Sequence, residues 1–393
     1  MTGLFCFDGP LYKDVNNVYC NVTLTNEMFE RYFTVVDRLI VVVRTFTTDK
    51  TYKEMNMKPL LTDKIDVVEV GNLNTIKGYL FDRKKFEKKI VELVDCVDLV
   101  FARMPSTVSN SVLTVVQKKN KPYLVEVGGC AWDSYWNHGI LGKLIAPAMF
   151  YNARKNIAKA DFATYVTKSF LQKRYPNNNV TTNCSNVYLK AVGDDILKKR
   201  LDKIATMDLK KIVLGQAVNS IDVKYKGEHL VLYAMRKLKE LGIMVEFQVA
   251  GPGTGDYLKK VAAKCGVSDQ LTLKGTLTKD EIFEWYQSID IYIQPSKQEG
   301  LPRSVIEAMS SGCPALGSDL AGIPELLDKE CLFDPDVNSQ IVDAITNLLT
   351  VDRMIENAKK NFEKAKEYNL QDIEQRRQEL FIKYKSMYRK ENK

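Results

Sequence analysis

Short β-branched and apolar runs alternate with longer amphipathic segments along this chain, and the alternation starts twice. In the first half the runs are GLFCFDG (3–9), RLIVVVR (38–44), IDVVEV (65–70), DLVFARM (98–104), PYLVEVG (122–128) and FATYVT (162–167). Unbroken runs of this kind suit parallel strands buried on both faces. Helical patterns such as NEMFERYFTVV and RKKFEKKIVELV separate them. After a charged, strandless stretch at 189–210 the series restarts with KIVLGQA (211–217), MVEFQVAG (244–251), QLTLKG (270–275), IDIYIQPS (289–296) and CPALGSD (313–319). HLVLYAMRKLKELG keeps its apolar residues at helical spacing and ends on Gly242. The pattern predicts an α/β chain of two doubly wound domains. With 393 residues, the chain also exceeds one ordinary core.

The expected organisation is an N-terminal Rossmann-like domain over 1–193 and a linker over 194–210. A second such domain follows over 211–370. A C-terminal helix over 371–393 is expected to pack back on the first domain. Tandem domains of this kind leave a cleft, and ligands bind beyond the C-terminal ends of their strands. Functional residues are therefore expected in the loops that follow strands.

The formal charge is +8, from 57 basic and 49 acidic residues. The excess lies in short clusters such as ARKNIAK and KKNFEKAK, which read first as solvated helix faces. It also suits anionic substrates or an anionic membrane surface. No basic stretch is interleaved with stacking aromatics, so nucleic acid is not an expected partner. The apolar runs fall well short of the ~20 residues that cross a bilayer, and the N-terminus has no secretory pattern. Eight cysteines without a CxxC read as buried free thiols in a reducing compartment. The expected location is cytoplasmic, with peripheral contact at the inner face of the plasma membrane left open.

The loop after IDIYIQPS carries the chemistry: PSKQEGLPRSVIEAMSSGCPALGSD, residues 295–319. Pro302 suits the first turn of a helix, and Gly312 its end. The helix tip offers free N–H groups and a partial positive charge, which is an anion site. Glu299 precedes it, and Glu307 lies one turn in, on the face shared with Arg303. Each carboxylate is able to clamp vicinal hydroxyls of a sugar. Spacing alone equally admits an exposed Arg303–Glu307 pair and a merely polar Glu299. VAGPGTGDYL places Gly251 and Gly253 after a strand, where glycine permits close approach to a phosphate or a sugar, or simply makes a turn. VKYKGEHL places Lys224 and Lys226 ahead of a helix, as diphosphate ligands or as solvated lysines.

The stretch SIDIYIQPSKQEGLPRSVIEAMSSGCPALGSDLAGIPELL resembles the signature of family 4 glycosyltransferases, retaining enzymes of the GT-B fold. That pattern is a strand ending in Pro-Ser, a Glu-Gly, a second glutamate eight positions on within EAM, then GxPV, S and GGxPE. Here AGIPE stands for GGIPE. The resemblance covers the second domain, including YKG, VAGPG, LKGTL and LFDPD, and is only topological over the first. It implies two Rossmann-like domains facing a central cleft. It also implies that Glu299 holds the donor sugar, Glu307 the nucleotide ribose and Lys226 the diphosphate. Main chain at Gly300 and Leu301 would hold sugar or phosphate. Gly251 and Gly253 would line the nucleotide, and main chain from Lys274 to Thr276 would face the base.

There are departures from the pattern. Gln216 stands where the family often has arginine, which shifts diphosphate stabilisation toward Lys226, Lys224 or Arg303. EGFG is EGLP here, followed by Arg303, as in a subset of bacterial polysaccharide enzymes. The family's first-domain histidine has no counterpart in VEVGGCAWDS; His138 is its substitute or an ordinary loop residue. Asp133 is a candidate for acceptor contact or base work, or a helix cap. The DxD of Asp334 and Asp336 reads as turn chemistry. No metal or other cofactor is expected.

The implied reaction transfers a sugar from a nucleotide-sugar donor to a hydroxyl of a glycan or polyprenyl-linked glycan acceptor, in bacterial surface polysaccharide synthesis. A GT-B epimerase would instead convert donor without acceptor, and a phosphorylase would need phosphate. A non-catalytic nucleotide-sugar binding protein would bind donor without turnover. Residues 136–159, WNHGILGKLIAPAMFYNARKNIAK, mix aromatic, aliphatic and basic side chains. They suit a membrane surface or an ordinary amphipathic core helix.

Overall fold

The computed structural model describes residues 1–75, 77–187, 189 and 193–391. The chain divides into two units, Met1–Cys184 with Ile373–Lys393, and Ser185–Asp372. Residues 190–192, at the expected domain boundary, lie outside the described residues.

The first unit holds β1 (Thr2–Lys13), β2 (Tyr19–Asn21), β3 (Arg38–Thr47), β4 (Lys58–Pro59), β5 (Ile65–Val70), β6 (Leu99–Met104), β7 (Leu124–Val127), β8 (Phe162–Tyr165) and β9 (Val180–Asn183). The parallel order is β5-β3-β1-β6-β7-β8-β9. The short β2 pairs antiparallel with the far end of β1, and β4 pairs antiparallel with β2. Leu39, Val41 and Val43 of β3 are fully buried, as an unbroken apolar run requires.

The last helix, Leu370–Glu391, supplies part of this unit's core through Leu380, Phe381 and Tyr384. The Phe381 ring lies 5.7 Å from Tyr32 and 5.1 Å from Phe101. The Val100 N–H donates to the Tyr384 hydroxyl at 2.9 Å, and that hydroxyl donates to the Pro122 carbonyl at 2.9 Å. Below these rings Glu126 accepts from Tyr32 at 2.8 Å and pairs with Arg103 at 3.2 Å. Burial opposes its charge, but Arg103, Arg31 and Arg377 outweigh burial and hold the carboxyl below its ordinary range.

The second unit holds β10 (Lys211–Ala217), β11 (Met244–Ala250), β12 (Leu271–Gly275), β13 (Ile291–Gln294), β14 (Ala315–Ser318) and β15 (Leu332–Phe333). All pair in parallel, in the order β12-β11-β10-β13-β14-β15. The order reverses between β10 and β13, and that switch point is where such sheets bind ligands. Residues 194–210, read from the sequence as a connection, form the helix Asp194–Thr206 and belong to this unit. Arg200 is buried and donates to the carbonyls of Tyr286 at 2.6 Å and Ile289 at 2.7 Å. Lys203 pairs with Asp290 at 2.7 Å.

All eight cysteines are free. Six are buried, but Cys96 is exposed and Cys265 half-buried, because each ends a surface helix. No described helix is long and apolar enough to cross a membrane.

Candidate active site

Because β10 and β13 are neighbours, the loops that follow them meet. The Lys297 N–H donates to the Tyr225 carbonyl at 2.8 Å. Gly227 has φ +81°, and a Cβ there would lie 2.1 Å from the Pro295 carbonyl oxygen. Only glycine allows this approach and this backbone. The junction sets Lys226 Nζ 2.7 Å from Glu299 Oε1, with the two side chains only 13% and 10% exposed. Gln216, wholly buried at the end of β10, donates its amide to the Lys226 carbonyl at 2.8 Å. Its own Oε1 is buried and accepts no hydrogen bond among the described residues.

Sequence reasoning missed the residue behind Glu299. Gln294 donates its amide to Glu299 Oε1 at 3.0 Å and to Ser296 Oγ at 2.7 Å. Its oxygen accepts from the Tyr292 hydroxyl at 2.7 Å. A signal was present: Tyr292 and Gln294 alternate with Ile291 and Ile293 in an otherwise apolar strand, so both point to one face.

The helix after this loop spans Arg303–Ser310, with Pro302 as its N-cap rather than in its first turn. Pro302 has ψ 114°, extended backbone that ends the loop before the helix begins. Gly300 and Leu301 precede it, the leucine buried. Arg303 is exposed. Glu307 accepts from the Tyr286 hydroxyl at 3.1 Å and, among the described residues, forms no ion pair with Arg303. The exposed i,i+4 pair that the spacing admitted is therefore not made. Burial raises the Glu307 carboxyl above its ordinary range, against the pull of Arg303.

The remaining donor-side candidates are more dispersed. Lys224 is exposed and sits 4.4 Å over the Tyr257 ring, not beside Glu299. The close approaches at Gly251 and Gly253 are to the protein itself, since Cβ atoms there would meet the Val218 carbonyl at 2.3 Å and Asp222 Oδ2 at 2.6 Å. Asp222 accepts from the N–H groups of Thr254 at 3.1 Å and Gly255 at 2.9 Å, which ties that loop down. Lys274 and Thr276 are exposed at the end of β12. Glu228, directly after Gly227, was not anticipated. It is buried, its Oε1 has no partner among the described residues, and burial pushes its carboxyl up to about 8.

Asp133 and His138 belong to the first unit. Asp133 lies 3.6 Å from Arg174, and burial raises its carboxyl despite the hydrogen bond with Cys130 and the Arg174 charge. His138 is exposed at the N-cap of the helix Gly139–Ala158. That helix buries Gly142, Ala146, Met149, Ala153 and Ile157. Its opposite face exposes Ile140, Leu141, Leu144 and Tyr151 by 64–80%, beside Lys143, Arg154 and Lys155. Trp136 stacks on Trp132 at 5.1 Å and lies under Lys143 at 5.4 Å. In the second unit the Asp336 N–H donates to Asp334 Oδ1 at 2.9 Å, a side-chain turn, and Lys297 pairs with Asp336.

The family model described as Glycosyl transferases group 1 matches residues 218–365, which run from the end of β10 through Lys226, Glu299 and Glu307. The chain is 28% identical over 390 residues to Protein CapJ of Staphylococcus aureus, covering 98% of this chain and 96% of that protein. It is 33% identical over 110 residues to the amylovoran biosynthesis glycosyltransferase AmsK of Erwinia amylovora, covering 26% of this chain and 27% of that protein. The solved structure of Anabaena HepE in complex with UDP-glucose superposes with a TM-score of 0.60 at 15% identity, covering 96% of this chain and 98% of that one. Residues 218–365 are thus similar to the group 1 glycosyl transferases, and the protein is a glycosyltransferase of GT-B fold.

Proposed function

We propose that this enzyme is a retaining, metal-independent glycosyltransferase. It moves a sugar from a nucleotide-sugar donor to a hydroxyl of a glycan or lipid-linked glycan in bacterial surface polysaccharide synthesis. The observation that carries this reading is the Lys226–Glu299 pair at the β10/β13 switch point, ahead of the helix that starts at Arg303. Lys226, Arg303 and that helix tip stabilise the departing diphosphate, while Glu299 takes hydroxyls of the donor sugar and Glu307 those of the ribose. The bond from the anomeric carbon to phosphate breaks, and the acceptor oxygen bonds to the same face. The acceptor proton passes to a departing phosphate oxygen.

The resemblance to family 4 supports retention. The likeness to HepE supports a nucleotide-sugar donor, and that to AmsK supports a polysaccharide pathway. Acceptor recognition is assigned to the first unit. Its apolar and basic helix face supports peripheral contact with an anionic membrane at the cytoplasmic face, where lipid-linked acceptors reside.

A thermal-shift screen against UDP-glucose, UDP-N-acetylglucosamine, GDP-mannose and ADP-glucose tests the donor. At least one should raise the melting midpoint of the wild type and fail to do so for Lys226→Ala. No shift with any of them would defeat the proposal.

A further inference from the structure

We infer that Gln294 is the positioning residue that keeps the Glu299 carboxylate aimed at the sugar once Lys226 turns to the diphosphate. The inference rests on the reading of Glu299 given above.

The donor inventory orients this amide. The Ala217 backbone N–H is only able to donate, and it meets the Tyr292 hydroxyl at 3.3 Å. The hydroxyl's own proton then goes to its shortest acceptor, Gln294 Oε1 at 2.7 Å. Ser304 Oγ reaches the same oxygen at 3.4 Å. The NH2 group must therefore face Ser296 and Glu299, at 2.7 Å and 3.0 Å. Gln294 is 1% exposed, and both ends of its amide are engaged. A buried side chain held this way does not swing when a ligand arrives.

Glu299 Oε1 accepts from both Lys226 and Gln294, and Oε2 accepts from no described residue. A diphosphate competes with Glu299 for Lys226, because it carries more charge on more oxygens. Lys226 is a flexible cation and follows that charge. Gln294 is neutral and anchored to β10 through Tyr292, so it stays. It is then the donor left on Oε1, and Oε2 remains presented to a sugar hydroxyl.

Two variants test this. Gln294→Met keeps the volume and loses the donor. Gln294→Glu keeps the shape, but at neutral pH presents an acceptor to Glu299. Both are compared with wild type using whichever of the four nucleotide sugars the wild type turns over, read as nucleoside diphosphate release. Gln294→Met should lose on the order of 10- to 100-fold in kcat, while Kd for the matching nucleoside diphosphate stays within about twofold. Gln294→Glu should show the same loss at pH 8 and recover as the pH falls. Its introduced carboxyl, once protonated, accepts from Tyr292 and donates O–H to Glu299. Wild type gains no such recovery. An unchanged kcat in Gln294→Met, or a loss in Gln294→Glu that ignores pH, overturns the inference. Should Gln294→Met not fold, the pH profile of Gln294→Glu decides alone. A wild type that turns over none of the four donors removes the reading of Glu299 and this inference together. Normal wild-type turnover with a pH-indifferent Gln294→Glu removes only this one.

Discussion

Lys226 and Glu299, 73 positions apart in the chain, form an ion pair of 2.7 Å with both side chains nearly shielded from water. A pair this dry is costly to break from one side, because the partner is left charged and buried. Glu299→Gln should lower kcat/KM by roughly 10²–10³-fold while leaving nucleotide affinity nearly intact. Lys226→Ala should instead weaken UDP or GDP binding. The double variant should cost less than the two single losses together, since they share one interaction. Strict additivity in calorimetric and kinetic measurements would argue that the pair is incidental.

Glu228 gives a pH signature. Burial lifts its carboxyl from 4.5 to about 8, so the folded chain holds a proton that the unfolded chain releases in that interval. The stability from this group is complete below pH 4.5 and lost as pH rises to about 8. Glu228→Gln should therefore change little near pH 4.5 and stabilise by more than ~1 kcal/mol at pH 9. Melting midpoints across that range would check it, and a constant gap between the two proteins contradicts the burial of an ionisable group.

Ala321 occupies the first glycine position of the GGxPE pattern, and its φ is +57°. A Cβ in left-handed backbone costs roughly 1–2 kcal/mol, part of which glycine returns through a freer unfolded chain. Ala321→Gly should stabilise by about 0.5–1 kcal/mol. A fall in chemical denaturation midpoint would show that the loop relaxes around alanine at no cost.

The C-terminal helix closes the core of the first unit. Phe381→Ala should cost about 3–5 kcal/mol, since it empties the space between Tyr32 and Phe101. Tyr384→Phe should cost about 1–3 kcal/mol by stranding the Val100 N–H and the Pro122 carbonyl. Urea unfolding monitored in the first unit measures both. Neutral outcomes would mean that the helix is dispensable.

On the exposed helix face, reversing Lys143, Arg154 and Lys155 to glutamate should weaken binding to phosphatidylglycerol vesicles by on the order of 10²-fold or more at low salt. Ile140→Ser with Leu144→Ser should weaken it about tenfold or more, through lost apolar burial. Sedimentation with vesicles reads both, and equal binding to neutral phosphatidylcholine would contradict the charge argument.

Much of this was legible in the chain itself. The unbroken runs of β3, β6 and β13 marked buried central strands, because burial on both faces leaves no polar alternation, whereas β5 and β12 lie at the sheet edges and are largely unburied. EGLP and the second glutamate marked a loop and a helix start, because Gly, Pro and helix-tip chemistry are local. The structure differs from these expectations at two places, for separate reasons. Composition alone puts Pro302 in the first helical turn, because it does not distinguish N-cap from N1. Residues 194–210 look like a connection in the sequence because charge hides the few contacts, such as those of Arg200, that bind that helix to its unit.

By itself the sequence determined two α/β series, the switch from strand to helix at Glu299, and the residue types able to hold a phosphorylated sugar. Which of those residues meet was decided only by tertiary structure. Lys224 and Lys226 are equivalent on paper, yet one lies over Tyr257 and the other against Glu299. The reason is strand order: setting β10 beside β13 brings together loops distant along the chain, and local periodicity carries no record of that pairing. The same packing buries Gln294 and sets this unremarked strand residue within hydrogen-bond distance of the candidate residue Glu299.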